Sequence, residues 1–160
     1  MPKHAERRVL PFTPRQLFDL VADVERYPEF LPWCVASRVR RRDGDRIIAD
    51  LAIGFRMLRE RFTTEVTLEE RAGTDPRIGM SVVDGPFRHM NGHWIFHPHP
   101  DGCEVEFFID FEFRSFLLQA TVEVLFHEAV RRMVNAFEGR ARRMYGARAT
   151  AATQGISAGP

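Results

Sequence analysis

Six histidines stand in the chain, and four of them, His89, His93, His97 and His99, fall close together. Histidines grouped this way raise the question of a metal. Zinc holds its ligand atoms about 2 Å away, whereas four residues along a strand cover roughly 13 Å. His89, His93 and His97 alternate as strand residues do, so the spacing keeps them apart. His97 and His99 are nearer, but Pro98 and Pro100 break that segment. Cross-strand pairing with Glu104, Glu106 and Asp110 on a wet face accounts for the imidazoles without a metal. A second zinc signature, two histidines one helical turn apart, begins at His127-Glu128 and fails at Arg131.

Nucleophiles fare no better. Cys34 and Cys103 are the two cysteines. Neither has a neighbour at metal-ligand spacing, and two cysteines make no disulfide framework, so both read as reduced thiols. Cys34 follows an aromatic residue and has no base beside it in sequence, which favours a buried structural thiol over a reactive one. Glycine-rich phosphate loops and a Gly-x-Ser-x-Gly elbow are absent. The expectation is a non-enzyme without catalytic residues, metal or cofactor. Two arginine clusters remain: Arg38, Arg40, Arg41 and Arg42, then Arg140, Arg142 and Arg143. A solvated surface explains both, and the helix dipole favours the second. The functional reading is a contact for anionic lipid or RNA, worth about 1 kcal/mol per arginine beside an anionic leaflet.

The elements that would position these residues follow from periodicity. The 160 residues suit one domain, 44% are hydrophobic, and the net charge of +1 gives no overall pull towards nucleic acid. A soluble, cytoplasmic monomer with no DNA partner is expected. The first residues lack the apolar run of a secretory signal, and no stretch approaches the ~18 apolar residues that span a bilayer. Residues 1–146 form the expected domain. The small, polar stretch 147–160 has no periodicity and reads as a disordered tail. Glu6 to Leu10 is a short strand. Thr13-Pro14-Arg15-Gln16 is a capping box with proline at the first helical position, starting a helix to about Ala22. A short turn through Tyr27 leads to an extended, apolar connection, Tyr27 to Cys34, shaped by Pro28 and Pro32. From there to Phe113 the period is two, with turn signals at Asp43-Gly44, Gly73 to Pro76, Asp84-Gly85-Pro86 and Pro98 to Gly102. Ile47, Ala49, Leu51, Ile53 and Phe55 share one face of a strand; Met90, Gly92, Trp94 and Phe96 share one face of another. One apolar and one wet face mean an antiparallel sheet covered on one side. The cover is a helix from about Ser115 to Tyr145, whose stripe is Leu118, Val122, Leu125, Phe126, Ala129, Met133, Ala136 and Phe137.

The fold class is therefore α+β: a curved antiparallel sheet of about six or seven strands wrapped around a long C-terminal helix. A bent sheet gripping one helix is hard to fill. Leu51, Phe55, Phe62, Met80, Trp94, Phe107, Phe111, Val122, Phe126 and Met133 serve equally as a filled core or as the lining of a ligand cavity. Bulky apolar groups in two loops, Phe30-Leu31-Pro32-Trp33 and Phe87, tip the reading towards a cavity with a rim. Such a site suits an apolar ligand, since burying a five-carbon isoprenoid unit is worth roughly 3 kcal/mol.

Tyr27-Pro28-Glu29-Phe30-Leu31-Pro32-Trp33-Cys34 resembles the Y-P-x-F-L-P-x-C segment of the coenzyme-Q-binding START-domain family. Arg61-Phe62-Thr63-Thr64, Gly85-Pro86-Phe87-Arg88-His89-Met90 with Gly92 and Trp94, Phe111-Glu112-Phe113, and Phe137-Glu138-Gly139-Arg140-Ala141 match in the same order. The likeness covers about residues 3 to 146 and implies the helix-grip fold shared with polyketide cyclases. It implies binding of ubiquinone or a related prenylated quinone in support of respiratory electron transport, as a carrier or chaperone. Pro32, Trp33 and Phe87 fall where the family handles its ligand. The absence of a transit extension points to a bacterial cytoplasmic or membrane-peripheral setting, with a transient membrane surface as partner. Bacterial relatives include a ribosome-association toxin that binds the large subunit, so a translation inhibitor is the alternative. A cyclase or hydrolase ranks last, because the inward positions offer almost no acid–base residues.

Overall fold

The structure is a computed structural model that describes residues 3–55 and 58–158, with side chains described over 3–54 and 59–146. The elements run β1 (Lys3–Leu10), α1 (Pro14–Ala22), a 3-10 helix (Val24–Glu29), β2 (Cys34–Asp43), β3 (Arg46–Phe55), β4 (Leu58–Glu69), β5 (Arg77–Asp84), β6 (Phe87–His99), β7 (Gly102–Phe113) and α2 (Phe116–Ala158). The expected α+β helix-grip architecture is what the chain adopts, with seven strands.

At the start of α1, Thr13 Oγ1 accepts from the Gln16 amide at 3.1 Å, and the Thr13 amide donates to Gln16 Oε1 at 3.0 Å. This reciprocal box satisfies two amides that the helix itself leaves unpaired. Leu17, Phe18, Leu20 and Val21 are then buried on one side.

The link after α1 differs from the extended connection expected. Residues 24–29 are a 3-10 helix containing Pro28. Proline's fixed φ suits a helical turn, and the Tyr27 carbonyl still finds donors in the amides of Phe30 (3.2 Å) and Leu31 (2.9 Å). Tyr27 is held further by its hydroxyl, which donates to the Val21 carbonyl, and by its ring, 5.4 Å edge-on from Phe137.

All seven strands are antiparallel, in the order β1-β7-β6-β5-β4-β3-β2. Consecutive strands are neighbours from β2 to β7, and β1 returns to pair with β7. One end of the sheet therefore gathers the link into β2, the β3–β4 and β5–β6 turns, and the passage from β7 to α2. The other end gathers the remaining turns. At the first end, Gly85 has φ +144, and a Cβ there would lie 2.6 Å from Phe62 Cβ, so only glycine lets this turn press against β4.

The core is not uniform along α2. Beneath Phe137, Trp94 lies 4.4 Å from Phe107 and 5.1 Å from Phe137, and Phe96 stacks beyond it. Phe18, Ile47, Ile78 and Cys103 complete this packed half. The other half is taken up below. Past Gly146, where the sequence suggests a tail without periodicity, the backbone continues as helix to Ala158. Among the described residues, no helix is long and apolar enough to cross a membrane.

Candidate functional site

Between the first half of α2 and the sheet lies a cavity of about 330 Å³. That is at the lower end of the range, about 300–1,000 Å³, common for small-molecule sites. The sheet side is Ile53 of β3, Phe62 of β4, Phe87 and Met90 of β6, and Ile109, Phe111 and Phe113 of β7, with Trp33 from the link before β2. The helix side is Thr121, Val122, Leu125, Phe126, Ala129, Val130 and Met133. Aromatic contacts stiffen the wall: Phe87 stacks on Phe113 at 4.6 Å and meets Phe62 edge-on at 5.2 Å, and Phe111 meets Phe126 at 4.8 Å.

Among the described residues, no ionisable side chain stands in this wall. Thr121 brings a hydroxyl, but it donates to the Leu117 carbonyl at 2.9 Å within its own helix. The exception is Trp33. Its indole Nε1 is buried and has no acceptor among the described residues. An unsatisfied buried donor costs about 1–3 kcal/mol. The arrangement can bury an apolar molecule, and among the described residues its wall holds no acid, base or nucleophile.

The residues expected to bind ligand divide into two groups. Trp33, Phe62, Phe87, Phe111, Val122, Phe126 and Met133 come together in the wall. Trp94 and Phe107 share their face of the sheet but lie towards its other end, in the packed half. Met80 faces the close approach of Gly92, where a Cβ would lie 3.2 Å from Met80 Cγ, and Leu51 packs on the core beside Phe62, its register partner. Phe30 is turned away onto Phe137 at 5.1 Å, with the Arg140 guanidinium 5.2 Å above its ring and bonded to Glu29 at 2.8 Å. Leu31 is buried, and Pro32 is exposed on the link. Phe55 falls outside the residues whose side chains are described.

The polar candidates are engaged elsewhere. His97 Nε2 lies 3.0 Å from Glu106 and its Nδ1 2.6 Å from Asp75. Glu106 and Asp75 together hold the imidazole pKa above its ordinary value. His89 faces Asp110 and Glu112. His93 stacks on Phe108 at 5.4 Å, and burial pushes its pKa down. Among the described residues, no group of three or more His, Cys, Asp or Glu could hold a metal. Burial raises the thiol pKa to about 11 at Cys34 and about 12 at Cys103, so both stay protonated near neutrality. In the hairpin, Arg40 meets Asp50 at 2.6 Å, Arg41 meets Asp43 at 3.1 Å and Arg42 meets Glu25 at 3.8 Å. Arg38 stands across from Asp50 in the β2–β3 register.

The polyketide cyclase / dehydrase and lipid transport family matches residues 10–138. The chain belongs to that family. A Pseudomonas aeruginosa protein named ribosome association toxin RatA is 39% identical over 148 residues, covering 91% of this chain and all of its own. The mitochondrial coenzyme Q-binding protein COQ10 homolog B of Xenopus laevis is 36% identical over 149 residues; the match covers 90% of this chain and 59% of that one. The solution structure of the 18 kDa protein CC1736 of Caulobacter crescentus superimposes with a TM-score of 0.72 at 39% identity, covering 91% of this chain and 99% of that one. The description of that family joins cyclisation and dehydration with lipid transport.

Sequence reasoning left several wall residues of this family member out of the ligand set. Ile53, Ile109 and Phe113 were legible as inward strand positions, and Leu125 and Ala129 as part of the helix stripe. Val130 and Thr121 flank that stripe, and a cavity wider than one helical face is what brings them in.

Proposed function

We propose that this protein binds ubiquinone or a similarly apolar prenylated lipid between α2 and the sheet, as a non-catalytic carrier or chaperone supporting respiratory electron transport. The observation that carries the reading is a cavity walled by carbon, with one unpartnered N–H at Trp33. Each isoprenoid unit buried there is worth roughly 3 kcal/mol, and two or three offset an association cost of at least about 4 kcal/mol. A quinone carbonyl meeting the Trp33 N–H, once the indole turns towards the cavity, removes the cost of the orphan donor. That the described wall residues include no acid, base or nucleophile supports binding over cyclisation. Organic extraction of protein purified from quinone-containing cells tests this reading, together with quenching of Trp33 fluorescence by added quinone. An extract free of prenylquinone combined with unquenched emission overturns it.

A second reading has its own observation: the likeness to a relative named ribosome association toxin spans that protein's full length. On this reading the chain binds the large ribosomal subunit and inhibits translation. Salt-sensitive co-sedimentation with large subunits is then expected. Sedimentation indifferent to subunits removes it.

A further inference from the structure

A helix that covers a sheet is ordinarily polar on its outer side. The first turns of α2 are not. Val122, Leu125 and Phe126 face the cavity, while Phe116, Leu117 and Val124 stand 89%, 77% and 84% exposed. Leu117 and Val124 are two turns apart, on one side of the helix. The same end of the sheet adds Pro32, which is exposed in the link before β2, and Val35 of β2 and Val83 of β5, 64% and 57% exposed. Apolar groups exposed together mark an interaction site, and these lie at the end of the molecule where Trp33, Thr121 and Val122 of the cavity wall keep part of their surface exposed.

Charge at this end differs from charge on the hairpin. Arg61, Arg88 and Arg114 are exposed and form no ion pair among the described residues. Arg114 is fixed beside the start of α2, its Nε donating to the Phe87 carbonyl at 3.1 Å and its amide to the Pro86 carbonyl at 2.8 Å. Glu60, Asp84 and Glu123 share the region, and Glu123 accepts from Gln119 at 3.1 Å. Arg40, Arg41 and Arg42, at the opposite end, each already have a carboxylate. Arg61, Arg88 and Arg114 are therefore cations available to an outside anion at the cavity's end of the sheet, while Arg38, Arg71, Arg131 and Arg143 are exposed without an ion pair elsewhere among the described residues.

We propose that this end of the molecule docks on an anionic lipid bilayer, with Phe116 and Leu117 entering the interface and Arg61, Arg88 and Arg114 meeting lipid phosphates. The proposal rests on the cavity being a lipid site. Docked in this way, the mouth faces the bilayer, and an apolar ligand passes between the two without crossing water. The exposed groups are mostly aliphatic and lack the run of aromatic platforms on which single-stranded RNA bases stack. That favours lipid over ribosomal RNA as the occupant.

The test is co-sedimentation with vesicles of phosphatidylcholine alone and of phosphatidylcholine mixed with phosphatidylglycerol. Binding is expected to the mixed vesicles and to weaken with salt. The exposed double variant Phe116→Ser, Leu117→Ser should lose about tenfold or more in vesicle affinity. Arg61→Gln with Arg88→Gln should lower both affinity and its salt dependence, and Arg40→Gln with Arg41→Gln should change neither. Each variant is also titrated with a short-chain ubiquinone analogue in detergent. Lost docking with retained quinone binding supports the surface; vesicle binding untouched by the Phe116, Leu117 and mouth-arginine changes overturns it. Vesicle binding without any quinone binding leaves the surface standing and removes the cavity reading instead. Binding to large ribosomal subunits lost through these same substitutions, with no vesicle binding, reassigns the surface to the ribosome and overturns the proposal.

Discussion

Trp33 and His97 show how one side chain is read differently once its neighbours are known. Trp33 was expected at a ligand site for its bulk; what the structure adds is an indole N–H without an acceptor. Trp33→Phe keeps most of the apolar surface and removes that donor. The affinity for a ubiquinone analogue is expected to fall by up to about tenfold, the worth of one hydrogen bond. Binding of a plain hydrocarbon-chain fluorophore should not change, and stability should hold or rise because the unpaired indole N–H is gone. Equal losses for both probes, measured by titration, would show that the ring and not its N–H matters. His97 was expected to pair across strands, and it does, with Glu106 and also with Asp75 from the β4–β5 turn. Its pKa in the fold is raised above the ordinary value of 6.5. The fold therefore favours the protonated imidazole, and the stabilisation is fully present below the ordinary value and fades as pH rises through the raised one. The melting-temperature gap between the native chain and His97→Gln should be widest near pH ~6 and narrow towards pH ~8. A gap constant over that range would mean that the fold leaves the proton affinity of the imidazole unchanged.

At the scale of elements, alternation and helical spacing located most strands, the long helix and the covered face, because period two and period 3.6 are imposed by backbone geometry itself, and the capping box located α1. Periodicity says which face a residue occupies but not how far along a curved strand it sits. Met90 and Trp94 illustrate the gap. Both point inward from β6, yet Met90 lines the cavity and Trp94 lies in the packed half against Phe107 and Phe137. Phe30 was misread for a related reason: the 3-10 turn through Pro28, invisible in the extended pattern expected, rotates the ring onto α2. The two halves of the core should respond differently to the same surgery. Trp94→Ala should cost about 3–5 kcal/mol, since its surroundings are filled and cannot collapse fully. Phe111→Ala borders a space that already exists, so its cost should be clearly smaller while ligand affinity drops. Denaturant midpoints for the two variants decide it, and equal costs would mean the cavity half is as tightly packed as the other.

At the scale of the whole molecule, the division of labour runs along α2. Its later part, with Phe137 and Ala141 buried, clamps the sheet; its earlier part stands off from the sheet around a void. A void of this kind withholds packing energy that a filled core would supply, and the fold recovers it only when something apolar occupies the space. Two consequences are measurable together. A ligand that binds the folded chain alone, at a hundred times its dissociation constant, should add about 2.7 kcal/mol of stability, or several degrees of melting temperature for a chain of this size. Filling the space covalently should have the opposite effect on binding. Ala129 lies in the wall on the helix side, and leucine suits a helix nearly as well as alanine. Ala129→Leu should keep or raise stability in the absence of ligand, as cavity filling commonly does by about 0.5–2 kcal/mol, and abolish the ligand-induced rise in melting temperature. If the variant still gains the full ligand-induced shift, the ligand sits somewhere other than between α2 and the sheet.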